Sequence, residues 1–146
     1  MRYPFKNPAR VCALSLVLLS FACRAHAADV KTPLRITDIK MAYGVDREFK
    51  AERPAQDFPF GTPKVYCWFE WKEAETGSQI VVKWTYLNEK VSVLNYTFPI
   101  PRREGSGGVA LAMPEGKPLP TGEYEVRLES DKGTPLKSLK FKVLKK

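Results

Sequence analysis

Val65–Trp71 (VYCWFEW) and Ile80–Tyr86 (IVVKWTY) are the two stretches that decide the fold of this chain. In both, every second residue is large and apolar. The residues that share these faces are Val65, Cys67, Phe69 and Trp71 in the first stretch and Ile80, Val82, Trp84 and Tyr86 in the second. A period of two, carried by β-branched and aromatic side chains, predicts half-buried β-strands.

The same alternation predicts two further strands, at Gly122–Glu129 and Leu139–Val143. Less regular runs predict strands at Leu34–Tyr43, Val91–Phe98 and Val109–Met113. In the first of these the apolar phase slips between Ile36 and Ile39, which indicates a β-bulge or a crossing between sheets. In Val91–Phe98 the side chains of Leu94, Tyr96 and Phe98 are in phase. No stretch of the chain has a convincing amphipathic helix pattern.

Glycine and proline clusters separate the predicted strands. Gly105–Gly108 is predicted to be a flexible loop, and Pro114–Gly122 is rich in turn formers. About seven short strands with such turns predict an all-β domain, a two-sheet antiparallel sandwich of immunoglobulin-like type. A closed β-barrel is the alternative. We expect one domain over residues 34–146, preceded by a short segment at 28–33.

The first 27 residues have the order of features found in a secretory signal peptide. Positive charges at Arg2, Lys6 and Arg10 precede an apolar run from Val11 to Ala22, and Ala25-His26-Ala27 is a small-x-small site. Cleavage is expected between Ala27 and Ala28. An apolar run of this length is too short to cross a bilayer, which takes about 20 residues. The leader predicts a periplasmic or secreted protein with no stable membrane span in its mature form.

Removing the leader changes which chemistries are available to the rest of the chain. The only histidine, His26, leaves with it, and of three cysteines only Cys67 remains. Imidazole bases, Ser-His and Cys-His pairs and His-containing zinc sites are then excluded from the mature chain. Cys67 is either a reactive thiol or a small buried apolar residue. The formal charge falls from +8 to about +4 in scattered positions, which is not typical of nucleic-acid binding.

Several short elements resemble a bacterial envelope family known only as a domain of unknown function. They are Asp46-Arg47-Glu48, Phe60, Val65-Tyr66-Cys67-Trp68, Ile80 with Trp84, Leu119 to Val126 (LPTGEYEV) and Phe141-Lys142-Val143. The resemblance covers roughly Val45 to Val143. This chain lacks the basic-aromatic-serine stretch that the family usually carries in its middle. The resemblance implies an extracytoplasmic β-sandwich and implies no activity.

Two groups of residues are the candidate binding sites. Arg47 and Glu48 lie in the densest polar cluster, on a segment predicted to be irregular, where they form either a binding loop or a solvated charged loop. Tyr66 and Trp68 lie on the face opposite Cys67. If exposed, they could stack on sugar rings or anchor a protein partner. If both faces of the strand are covered, they are core residues.

Carboxylates and lysines define weaker candidates. Glu70, Glu73 and Glu75 could serve as acid and base or bind calcium, but nothing in their spacing establishes a cleft or a calcium loop. The closing strand carries Lys137, Lys140, Lys142, Lys145 and Lys146. These lysines either contact anionic lipid or polysaccharide or protect an edge strand from pairing. Arg102-Arg103 is a second basic spot.

We therefore predict a non-enzymatic interaction module of the bacterial envelope, with an envelope protein as its partner and no cofactor or metal. A carbohydrate-binding module that uses Tyr66 and Trp68 is the alternative, with polysaccharide as its ligand. A small hydrolase that uses two carboxylates is the third hypothesis.

Overall fold

The computed structural model describes residues 33–146, and these form two β-sheets with a shared apolar core. The nine strands are β1 (Arg35–Val45), β2 (Ala51–Pro54), β3 (Asp57–Phe58), β4 (Lys64–Lys72), β5 (Gln79–Tyr86), β6 (Val91–Pro99), β7 (Gly105–Ala112), β8 (Gly122–Ser130) and β9 (Pro135–Val143). Within these residues the helical content is one 3₁₀ turn at Pro114–Gly116, and no helix could span a bilayer. The predicted leader and its cleavage site at Ala27 and Ala28 lie outside the described residues.

The strand order confirms the predicted two-sheet sandwich. One sheet has four strands in the order β2-β1-β4-β7, and the other has five in the order β3-β9-β8-β5-β6. Two details differ from the prediction. The short strands β2 and β3 raise the number of strands to nine, and β3 pairs with β9 in parallel, whereas all other pairs are antiparallel.

The alternating residues of β4 and β5 form the centre of the core, as the period of two predicts. Val65, Cys67, Phe69 and Trp71 are buried on the inner face of β4, and Ile80, Val82 and Trp84 are buried on that of β5. The slip in the first strand is a bulge, because the register between β1 and β4 shifts between Ile36 and Asp38. Burial raises the pKa of the Cys67 thiol, and the structure supports its role as a buried apolar residue.

The glycines of residues 105–108 lie in β7, so the predicted flexible loop is wrong. Trp71 and Phe69 are paired with Gly105 and Gly107 across the sheet. A Cβ atom at Gly107 would lie 2.6 Å from Cζ of Phe98, whose ring packs edge-on against Phe69. Glycine is required in this strand because a large ring of the opposite sheet fills the space that a side chain would take.

Strand β6 closes one side of the five-stranded sheet and is only partly covered. Leu94, Tyr96 and Phe98 lie opposite Trp84, Val82 and Ile80, which confirms their common phase. Leu94 and Phe98 are half-buried, but Tyr96 is exposed. The strand lies at the edge of its sheet, so its inner face is not fully covered by the other sheet.

Tyr124 anchors the segment that connects β7 of one sheet to β8 of the other. Its hydroxyl donates a hydrogen bond to the carbonyl oxygen of Pro120 at 2.6 Å, four residues upstream. Its ring stacks on Phe141 with centroids 4.9 Å apart. A tyrosine at the start of a strand that bonds back to the preceding corner is a recurrent feature of immunoglobulin-like sandwiches. Burial, and then the neighbouring Tyr86, raise the pKa of Tyr124 to about 12.

Gly107→Ala tests the tight contact between the sheets. The added methyl group would overlap the ring of Phe98, which is confined by Phe69 and Trp71. We expect a loss of about 1–3 kcal/mol in the free energy of unfolding, measured by urea denaturation. In a Phe98→Leu background the same change should cost less. Equal costs in both backgrounds would contradict the proposed contact.

Tyr124 predicts a loss of stability at alkaline pH. Its pKa rises from 10.0 in the unfolded chain to about 12 in the folded protein. The unfolded state therefore releases its proton first, so the stabilisation is complete below pH 10 and is lost as the pH rises toward 12. Between about pH 8 and about pH 11.5 we expect Tyr124 to account for about 2 kcal/mol of that loss. In urea unfolding, Tyr124→Phe should show a correspondingly smaller pH dependence, and an unchanged dependence would refute this.

Candidate functional site

A closed five-residue loop at 46–50 joins β1 to β2. The backbone N–H of Asp46 donates to the carbonyl oxygen of Lys50 at 2.9 Å. The carboxylate of Asp46 accepts hydrogen bonds from the backbone N–H of Glu48 at 2.8 Å and from that of Lys50 at 2.9 Å. Aspartate commonly organises a turn in this way. The N–H of Phe49 also donates to the carbonyl oxygen of Asp46 at 3.1 Å, so four bonds fix the loop internally.

This hairpin lies over the outer face of the four-stranded sheet. The carbonyl oxygen of Phe49 accepts two hydrogen bonds, from the indole N–H of Trp68 at 2.6 Å and from the hydroxyl of Ser106 at 2.9 Å. Val45 lies directly above Gly108, where an added Cβ atom would come within 2.7 Å of its side chain. The loop is therefore held to β4 and β7 as well as closed on itself.

The tip of the hairpin presents one apolar ring among charges. Phe49 has a left-handed backbone, with φ of 59°, and its side chain is 51% exposed. Arg47 and Glu48 beside it are exposed, and Nζ of Lys50 lies 2.6 Å from the carboxylate of Glu48. Because the backbone carbonyl of Phe49 is fixed on the sheet, its ring is held out toward solvent.

A shallow groove of about 440 Å³ runs beside this tip. Its lining includes Glu48 and Phe49 on the hairpin, Glu70 and Trp71 on β4, and Arg102. A carboxylate oxygen of Glu70 accepts a hydrogen bond from the hydroxyl of Thr37 at 2.6 Å, so one wall is also fixed. The exposed phenyl ring and a groove with charges of both signs form one continuous surface, which we call the hairpin surface.

The structure places the four predicted binding residues in two different settings. Arg47 and Glu48 lie together on the hairpin surface. Trp68 lies beneath it and is only 8% exposed, with Nζ of Lys40 lying 5.2 Å from its ring. Tyr66 is half-buried. Trp68 and Tyr66 therefore do not form an open pair of rings on one face.

Phe49 and Ser106 are the residues of this surface that the sequence did not reveal. The signal for Phe49 is a lone apolar residue in the charged run Asp46 to Lys50 (DREFK). The sequence contains no comparable signal for Ser106. Glu52 and Arg53 follow the loop and lie in β2. The guanidinium of Arg53 lies 4.7 Å from the ring of Tyr43.

Some residues of the predicted carboxylate and basic clusters are paired with opposite charges. Glu73 pairs with Arg103 at 2.6 Å, and this contact lowers the pKa of Glu73. Lys142 lies 3.1 Å from Glu123, and Lys140 is opposite Glu125 on β8. Across residues 33–146 there is no group of three or more acidic, cysteine or histidine side chains that could hold a metal ion.

The comparisons with known proteins support the fold and add no activity. No family model and no curated protein matches the chain. An immunoglobulin-like protein of Pseudomonas aeruginosa is similar in structure, with a TM-score of 0.54 and 9% identity over 79% of this chain and 99% of that one. OgpA of Akkermansia muciniphila has a TM-score of 0.45 at 11% identity, covering 78% of this chain and 29% of that one. A Niemann-Pick type C2 protein from the Japanese carpenter ant has a TM-score of 0.39 at 10% identity, over 78% and 95%.

This chain is thus an immunoglobulin-like β-sandwich module. At identities of this level the shared property is the architecture, and function must be argued from the site.

Ser106→Ala should loosen the hairpin. It removes one of the two donors to the carbonyl of Phe49, a bond that contributes about 0.5–1.5 kcal/mol. Trypsin cleavage after Arg47 requires the loop to open, so we expect it to become roughly two- to tenfold faster. Ser130→Ala is the matched control, because it removes a hydrogen bond to the N–H of Thr134 in the turn between β8 and β9. Equal cleavage rates in the two variants would show that the hydrogen bond from Ser106 does not hold the loop closed.

Proposed function

We propose that this protein is a non-enzymatic module that binds another protein in the bacterial envelope through the hairpin surface. The observation that carries the proposal is the exposed ring of Phe49 on a backbone fixed by Trp68 and Ser106. Aromatic side chains that insert into a partner's pocket supply much of the binding energy in protein interfaces. A loop that is already ordered loses less entropy on binding than a mobile one.

The charges around Phe49 favour a protein partner. Arg47, Glu48 and Lys50 surround the ring, and Arg102 lines the adjoining groove. An apolar centre with a rim of both signs is the usual anatomy of a protein interface. The rim charges would orient the partner and accelerate association more than they would raise the affinity.

The predicted leader supports the envelope as the place of action. Its charged, apolar and small-residue regions precede the described domain, and cleavage between Ala27 and Ala28 would release the domain into the periplasm or the medium. The resemblance to the envelope family remains a prediction that agrees with this location.

The carbohydrate-binding alternative has less geometric support. A sugar-binding platform needs open aromatic faces, whereas Trp68 is 8% exposed beneath the hairpin and Nζ of Lys64 lies 5.4 Å from the ring of Tyr66. Phe49 is a single ring without an exposed aromatic partner on the hairpin surface.

Phe49→Ala tests the proposed interface, with Phe60→Ala as its control. The two rings are 51% and 53% exposed, and Phe60 lies in the loop after β3. The tagged full chain would be used to capture proteins from the envelope fraction of the bacterium that produces it. The captured protein would then be titrated against each variant. Loss of a central aromatic anchor costs about 2 kcal/mol or more, so Phe49→Ala should bind about thirtyfold more weakly.

The control should keep the wild-type affinity. Equal binding by the two variants would show that the interface does not include the hairpin surface. Repeated failure to capture protein, together with retention of envelope polysaccharide, would replace the proposal with the carbohydrate alternative.

A further inference from the structure

Strand β6 (Val91–Pro99) has a free edge. It pairs with β5 alone, so the backbone groups on its other side have no strand partner among residues 33–146. Its nine residues (VSVLNYTFP) include no charged side chain. Edge strands of soluble proteins are normally protected by charges, proline or short length, because an open edge pairs readily with another strand.

The other sheet edges carry such protection or offer little side-chain surface. Strand β2 contains Glu52, Arg53 and Pro54, and β3 has only two residues. Strand β7 is also at an edge, but its large apolar residues, Val109 and Leu111, are buried. Among the described strands, β6 alone combines length, absence of charge and exposed apolar side chains.

Exposed apolar side chains are concentrated on this strand. Val91 and Tyr96 are each 47% exposed and Val93 is 43% exposed. They make up three of the six large apolar side chains that the structure leaves exposed between residues 33 and 146. Pairing with a further strand would cover these side chains and satisfy the free backbone groups together.

We propose that β6 pairs antiparallel with β6 of a second copy of this chain, joining the two five-stranded sheets into one. A twofold interface requires a surface that is complementary to itself. With the symmetry axis at Asn95, Leu94 lies opposite Tyr96 of the other copy and Val93 lies opposite Thr97. Leu94 and Tyr96 face the same side of the sheet, since they pair with Trp84 and Val82 on β5.

The distribution of charged residues also permits the pairing of β6 with β6 of a second copy. No like charges meet along the uncharged strand. Charged residues occur only beyond the ends of the strand, at Glu89–Lys90 and at Arg102–Glu104, and each of these segments carries both signs. The bulge in β6 falls at Val93, between the partners of Trp84 and Thr85. The register is therefore regular from Leu94 to Pro99, which includes the Leu94–Tyr96 pair, and the Val93–Thr97 pair lies at the bulge.

Sedimentation equilibrium of the full chain, purified as the cell produces it, tests the proposal. We expect a mass twice that of one chain at high concentration. Val93→Lys, Tyr96→Lys and Thr97→Lys should each weaken self-association at least about tenfold, because each brings a charge to the pairing edge. Thr97 is an exposed polar residue, so its variant keeps the apolar core intact. Leu144→Lys, at a residue 45% exposed after β9, is the matched control and should leave the mass unchanged.

Hydrogen exchange locates the contact. The backbone amides of Leu94–Phe98 that point away from β5 should become more protected as concentration rises in the wild type and should stay unprotected in Thr97→Lys. A single-chain mass at every concentration would overturn the proposal. So would a dimer that all three edge variants leave intact, or protection of β6 that appears only when a different protein is added. Phe49→Ala should not alter the mass, which separates this proposal from the function proposed for the hairpin surface.

Discussion

Aromatic contacts between the two sheets are the interaction on which the rest of the structure depends. On one side of the core, Phe98 of β6 packs against Phe69 and Trp71 of β4 at centroid distances of 5.2 and 5.7 Å. On the other side, Tyr43 of β1 packs against Phe58 of β3 at 5.0 Å. Each such pair contributes about 0.5–1.5 kcal/mol beyond the burial of its area. The described domain has a single cysteine and so no internal disulfide, and these contacts join its sheets instead.

The strands that face this core could be predicted from the sequence because burial on one side imposes a period of two. β4, β5, β8 and β9 show that period, and even the bulge in β1 appears as a shift of apolar phase. The signal is weaker in β6 and is absent from β2, β3 and the first half of β7. β3 has only two residues, and the N-terminal half of β7 is mostly glycine, whose role depends on a ring from the opposite sheet. Non-local contacts of this kind have no periodic signature.

The candidate site could be predicted only in part. Arg47 and Glu48 stand out in the sequence because charge is dense around them, and both lie on the hairpin surface. The burial of Trp68 is one of the two alternatives that the sequence leaves open. The alternation of β4 does not reveal which applies, because it contains no sign that a distant hairpin folds over the outer face. The same hairpin fixes the backbone of Phe49 and leaves its ring exposed. The charged sequence around Phe49 predicts only a solvated loop.

The distribution of charge distinguishes the outer face of the five-stranded sheet from β6 and the hairpin surface. On the outer face of the five-stranded sheet, Lys83 pairs with Glu129 and Lys142 pairs with Glu123. The Lys142–Glu123 pair is exposed and contributes only about 0–1 kcal/mol, whereas Glu129 is nearly buried. The larger effect of both pairs is to keep this face charged and unfavourable for apolar contact. β6 has no charged residue, and at the hairpin tip the charges surround an exposed ring rather than replace it. Paired charges on one broad face and apolar centres on these two surfaces therefore agree with the associations proposed for the hairpin surface and for β6.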